Sequence, residues 1–176
     1  MKKVNVLFLG GAKRVSLAEY LISAGRKLGL DISIFSYELD EKVPLASIGS
    51  IIIVKKWADP DLFSDLYQQI EKNKISIVLP FVDPAIGVAE SLKQGHSELF
   101  IPTCGIDICN TMFDKKLSEQ WFIDHKLPIP PSYSQTDKLP YPVIVKPRKG
   151  SASKGIVVIE NDEQWEKLEN KDSYVI

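Results

Sequence analysis

Apolar positions along this chain fall into short runs that alternate with stretches of helical spacing. Residues 4–9 form an apolar run with a β-branched bias, closed by Gly10 and Gly11, which predicts a strand. Residues 16–28 put Leu17, Tyr20, Leu21, Ala24 and Leu28 on one helical face, and Gly29 follows as a stop signal. Strands are predicted again at 31–37, 51–54 and 75–79, with a further short one at 99–101. Asp59 and Pro60 open a helix that carries Leu62, Phe63, Leu66, Tyr67 and Ile70 on one face; a third helix covers 84–93. Strands alternating with helices of this length predict βαβ units and a parallel sheet with helices on both faces. Right-handed crossovers then gather the loops after residues 9, 37, 54 and 79 along the carboxyl edge, where such sheets bind ligands.

From Thr111 onward the pattern changes. Residues 111–125 predict one helix with Leu117, Trp121 and Phe122 as its apolar stripe. Residues 127–142 hold five of the eleven prolines and predict an extended connector, because proline withholds a donor and keeps its predecessor out of the helical region. A strand–loop–strand over 142–159 comes next, then a helix over 163–168 capped by Asn161 or Asp162, and the opening of a last strand at 174–176.

Composition narrows the partners more than it identifies the fold. Among 176 residues, 44% are hydrophobic and 26% charged, the balance of an ordinary globular protein. A net charge of −1 gives no electrostatic case for nucleic acid or an acidic membrane surface. No run approaches the roughly 20 apolar residues of a membrane span. The only cysteines, Cys104 and Cys109, are spaced C-x4-C without a second pair; this is neither a zinc pattern nor a disulfide framework, and it suits a reduced, cytoplasmic setting. His96 and His125 lack companions at metal-ligand spacing, and Trp57, Trp121 and Trp165 read as packing anchors.

Three loops carry candidate chemistry. In the first, Lys146 ends a strand whose alternation places it on the same face as Ile144, toward the inner side, and the loop beyond contains Gly150, Ser151, Ser153, Lys154 and Gly155. Glycine and serine give flexible backbone and small donors, and successive N–H groups form an anion-binding concavity. Composition alone equally allows a solvated basic hairpin, and the string GxxxxGK[ST] is absent. The second is Asp114-Lys115-Lys116 at the predicted start of a helix, where a lysine opposes the helix dipole and an anionic ligand would account for it. The third joins Gly10, Gly11, Lys13 and Arg14 at the first βα turn with Asp83, read as a helix cap before a ligand group.

In this order the motifs resemble the ATP-grasp superfamily, in the branch similar to the large subunit of carbamoyl phosphate synthase and related carboxylate–amine ligases. The matching strings are VLFLGGAKR at 6–14, FDK at 113–115, LPIPPS at 127–132 and YPVIVKPRKGSASKGI at 141–156. The resemblance implies a Rossmann-like pre-ATP-grasp domain at 1–111 and an incomplete small ATP-grasp lobe at 112–176. It implies that Lys115 and Lys146 contact ATP, that the loop from Gly150 to Gly155 closes over the triphosphate, and that Gly10, Gly11, Lys13, Arg14 and Asp83 lie on the acceptor-substrate side. Ala85 stands where the branch often carries a glutamate. The implied cofactors are ATP and Mg2+, with the magnesium ligands in a further lobe beyond residue 176. The implied partners are a small-molecule carboxylate and an amine, with a homodimer as one compatible assembly. The implied reaction passes through an acylphosphate, and these 176 residues alone are expected neither to turn over nor to bind ATP tightly. The competing reading is a non-catalytic nucleotide- or metabolite-binding module, or one half of a split ligase. A nicotinamide-dependent enzyme is disfavoured: Glu38 resembles a ribose-binding acid, but Gly10-Gly11 lacks the fingerprint spacing.

Overall fold

A computed structural model describes residues 1–150 and 152–176, and the chain divides into two compact units, Met1–Ile106 and Asp107–Ile176. The first unit is built on a parallel sheet in the order β3-β2-β1-β4, with β1 at Lys2–Leu9, β2 at Leu30–Glu38, β3 at Ser50–Ile53 and β4 at Ile75–Pro80. Strand β1 lies inside the sheet and is covered on both faces, so Val6, Leu7, Phe8 and Leu9 are all buried and the run reads as continuously apolar. Its alternation supplies two cores. Leu7 and Leu9 pack with Leu62, Leu66 and Ile70 of helix α2 (Leu62–Lys72) and with Ala85, Ala89 and Leu92 of helix α3 (Asp83–Gly95). Val6 and Phe8 pack with Ala18 of helix α1 (Val15–Lys27), Ile34 and Leu45. The two cores confirm an α/β fold with helices on both faces of a parallel sheet. The predicted strand at 99–101 is reduced to a single parallel bridge, Ile77 to Phe100, beside β4.

Helix α1 corrects the predicted apolar face. Tyr20 is 71% exposed and Leu28 75% exposed, and the face turned to the sheet contains Ala18, Gly25 and the partly buried Val15, Leu21 and Ile22. Small residues choose that face because helix and strand approach so closely. A Cβ at position 25 would stand 2.5 Å from Ile32 Cδ1, so any larger residue here would force the Ile32 side chain or the helix to shift.

The second unit holds helices α4 (Ile106–Phe113, its first residue shared with the unit before) and α5 (Lys115–Asp124). A three-stranded antiparallel sheet follows in the order β6-β5-β7, from β5 (Val143–Pro147), β6 (Val157–Ile159) and β7 (Tyr174–Val175), with helix α6 (Asp162–Lys167) before β7. Val143, Val145, Ile159, Leu139 and Trp165 form its core, so Trp165 is a packing anchor. Asn161 caps α6, its Oδ1 accepting from the Gln164 amide at 3.0 Å. The single helix predicted over 111–125 is divided in two. Asp114 is extended (φ −109°, ψ 111°), and its carboxylate accepts from the amides of Lys116 and Leu117, which starts a new helix three residues into the predicted one. No helix among the described residues is long and apolar enough to cross a membrane.

Candidate functional site

Strand β5 places the lysine that ends it. Val143 and Val145 turn into the core, and Ile144, 52% exposed, shares the opposite face with Lys146. The shared face is as predicted, but it is the open face and not the inner one, because the two valines and Ile159 close the core against Trp165. That open face borders a cavity of about 830 Å³. Lys146 and Ile144 line it from β5, Lys115, Glu119 and Phe122 from α5, and Val175 and Ile176 from the last strand and the residue after it. The proline connector completes the wall with Pro128, Pro130 and Pro131, whose rings fix φ along it.

Lys115 has partners of its own in this site. Its Nζ donates to the carbonyls of Pro147 at 2.9 Å and Gly150 at 3.0 Å, and its amide donates to the Arg148 carbonyl at 2.9 Å. These carbonyls account for a cation in the first turn of α5, where the helix dipole opposes it. Asp114, 3% exposed, receives Arg148 Nε on both oxygens, at 2.6 and 2.7 Å. The Arg148 hydrogen bond holds the Asp114 carboxyl below the usual carboxylate range, helped by the amides of Leu117 and Lys116 and opposed by burial. A depressed folded-state value stabilises the fold above the unfolded pKa of about 3.9, and that contribution is lost as pH falls through the lowered value. The sequence reading includes Asp114 in the Asp114-Lys115-Lys116 motif without a role of its own and leaves Arg148 out; the signal is an aspartate just before a lysine at a helix start, with an arginine just after the strand lysine.

In the loop, Gly150 (φ +120°) and Gly155 (φ +73°) bracket Ala152 and Ser153, both left-handed at φ near +58°. A Cβ on Gly155 would meet Pro147 Cγ at 2.8 Å, so the two ends of the loop close on each other. Ser153 and Lys154 are exposed, and Ser151 lies outside the described residues.

The first unit carries a separate cavity of about 590 Å³ at the carboxyl edge of its sheet. Gly10, Lys13 and Arg14 line it after β1, Glu38 after β2, Lys55 and Trp57 after β3, and Phe81 and Val82 after β4. Strands β1 and β4 flank the point where the strand order reverses, the usual ligand position in such sheets. Gly11 is buried in the turn, where its carbonyl accepts from the Arg14 amide at 2.7 Å. Asp83 is not the cap of α3. The first helical bonds, from the amides of Ala85 and Ile86, go to the Val82 carbonyl, so Val82 takes the cap position and Asp83 is an exposed residue of the first turn.

Tyr37, which sequence reasoning passed over, forms part of this cavity's floor. Its hydroxyl donates to Asp65 Oδ2 at 2.7 Å, and burial, then the Asp65 carboxylate, push its pKa far above the ordinary phenol value. Tyr37→Phe removes the donor to a carboxylate and is expected to cost about 1–2 kcal/mol in urea unfolding; a loss below a few tenths would show that solvent replaces the bond. Glu38 Oε1 accepts from Ser36 Oγ at 2.6 Å. His96 pairs with Glu98 at 2.6 Å and His125 stacks on Trp121. Among the described residues no group of three or more His, Cys, Asp or Glu is placed to hold a metal ion.

Comparison with known proteins decides the second unit: residues 112–176 match the ATP-grasp domain family. This stretch belongs to the ATP-grasp superfamily. The ATP-grasp stretch contains both cavity lysines, the glycine–serine loop and the Asp114–Arg148 pair. Solved structures agree on the fold across nearly the whole chain. N5-carboxyaminoimidazole ribonucleotide synthetase from Thermotoga maritima aligns with a TM-score of 0.63 at 17% identity, over 99% of this chain and 45% of that one. L-amino acid ligase from Bacillus licheniformis gives 0.64 at 15%, over 99% and 43%. Biotin carboxylase from Campylobacter jejuni gives 0.64 at 17%, over 93% and 40%. The chain therefore spans less than half the length of these proteins, and at such identities the likeness is one of fold. No curated protein sequence matches.

Proposed function

We propose that the chain is part of a cytoplasmic, ATP-dependent ligase that joins a small-molecule carboxylate to an amine through an acylphosphate, nearest in its motifs to the carbamoyl phosphate synthase branch. The observation that carries this reading is the ATP-grasp cavity lined by two lysines from different elements. Its volume suits a nucleotide, and its walls are mostly apolar with a few convergent polar groups. Ile144, Phe122 and Val175 offer an apolar seat for a base. Lys146 and Lys115 offer cations for phosphate oxygens, and Gly150, Ser151, Ser153, Lys154 and Gly155 offer the backbone and hydroxyl donors of a loop that closes over them.

The chemical work assigned to these residues is positioning and charge neutralisation. A carboxylate oxygen attacks the γ-phosphorus, the bond to the β-bridging oxygen breaks, and ADP leaves; the amine then displaces phosphate from the acylphosphate. Lysines beside the transferring group stabilise charge as it moves to the leaving oxygen. Magnesium enters with the nucleotide as Mg-ATP, and no residue of this chain is assigned to it. The cavity of the first unit, with Gly10, Lys13 and Arg14 at its mouth, Gly11 beneath the turn and Asp83 beyond it, is the proposed acceptor-substrate side.

At 19.8 kDa the chain suits amide correlation spectra. Titration with Mg-ATP is expected to move the resonances of Lys146, Gly150, Gly155 and Val175, with a dissociation constant in the millimolar range. Shifts confined to the first unit, or none up to about 10 mM nucleotide, would remove the reading.

A further inference from the structure

We infer that Asp114 and Arg148 are positioning residues for Lys115: their ion pair fixes the start of α5 on the end of β5, and so sets where the Lys115 ammonium stands at the cavity. What the lysine is positioned for rests on the ATP-binding reading above; the positioning itself does not.

The geometry is specific to this role. Asp114 is next to Lys115 in sequence, and Arg148 is two residues beyond Lys146, so each partner of the pair adjoins one of the two cavity lysines. Arg148 is also tied by its main chain on both sides. Its carbonyl accepts from the Lys115 amide at 2.9 Å, and its amide donates to the Ser173 carbonyl at 2.7 Å, just before β7. The Lys115 ammonium bonds Pro147 and Gly150, the residues that bracket the Arg148–Lys149 step. Asp114 fixes the other side of the joint, since the same carboxylate also accepts from the amides of Lys116 and Leu117. Asp114 Oδ1 accepts from both amides and from Arg148 Nε, and Oδ2 accepts from the same Nε, so this buried carboxylate is engaged within the joint. Neither residue lines the cavity, and both act through the lysine that does.

The test reads Lys115 directly, without nucleotide. In the wild-type chain the Lys115 ammonium, held by two carbonyls, is expected to give a slowly exchanging 1H–15N signal at low temperature. Asp114→Asn and Arg148→Gln are each expected to erase it while the amide spectrum stays dispersed, and Arg148→Lys, which keeps the charge but not the Nε geometry, to restore it only in part. In the second arm each single variant should weaken Mg-ATP binding about tenfold, and Asp114→Asn/Arg148→Gln no more than either alone, because a broken pair can be broken only once. A folded Asp114→Asn chain whose Lys115 signal and nucleotide affinity both match wild type would overturn the inference and leave the pair a helix cap. Loss of the Lys115 signal in the variants, in a chain that binds no nucleotide even as wild type, would uphold the positioning and refute the ATP reading instead.

Discussion

Phe8→Ala is expected to destabilise the first unit by about 3–5 kcal/mol, the range for a fully buried aromatic truncated in a core. Phe8 is completely buried, and its ring meets that of Phe81 edge-on at a centroid distance of 4.7 Å. It lies in β1, with strands paired on both sides and α1 packed over the face it points to, so no surface loop can collapse into the space. The same ring supports the candidate acceptor loop: a Cβ on Gly11 would stand 2.7 Å from Phe8 Cδ2, so the turn of Gly10 and Gly11 rests on this side chain. A domain stability of about 5–15 kcal/mol leaves little after such a loss. Urea unfolding followed by the first unit's amide resonances measures it, and a loss below about 1 kcal/mol would mean that Phe8 does not anchor this core.

Lys146→Ala is expected to act on ligand binding and hardly at all on the fold. Its side chain stands on the open face of β5, where Ile144 is also exposed, so its removal opens no cavity in the core. A cation about 4 Å from a phosphate oxygen, at the effective dielectric of a protein surface, contributes a few kcal/mol before its desolvation cost. A net loss near 2 kcal/mol corresponds to binding of Mg-ATP weakened about 30-fold. The titration that follows Val175 and Gly150 in the wild type measures it. An affinity within about twofold of wild type, with the same residues shifting, would place the phosphates away from Lys146.

The architecture was legible wherever burial on two faces leaves a continuous apolar run. Strand β1 is the clearest case; β2 and β4, only partly buried, show instead through β-branched residues set between turn signals. Reading failed where two physical signals compete on one element. Helix α1 has apolar residues on two faces, and the larger Tyr20, like Leu28 at the helix end, lost to the closer approach that Ala18 and Gly25 allow. Asp114 reads in sequence as a polar residue at a helix start, and its burial rests on a partner that local sequence does not show, Arg148, 34 residues later. Alternation paired Ile144 with Lys146 but could not say which face of β5 a core would cover, since that depends on Trp165 and Ile159 arriving from later elements. At Asp83 the local preference of aspartate for a cap position was overridden by the Val82 carbonyl taking the first helical bonds.

Among the described residues the Lys115 ammonium grips the hairpin through main-chain oxygens, those of Pro147 and Gly150. Main-chain acceptors are indifferent to the side chains around them. Substitutions at Ser153 and Lys154, both exposed, therefore leave the acceptors of this attachment to α5 in place, which makes these two positions natural ones to vary by design.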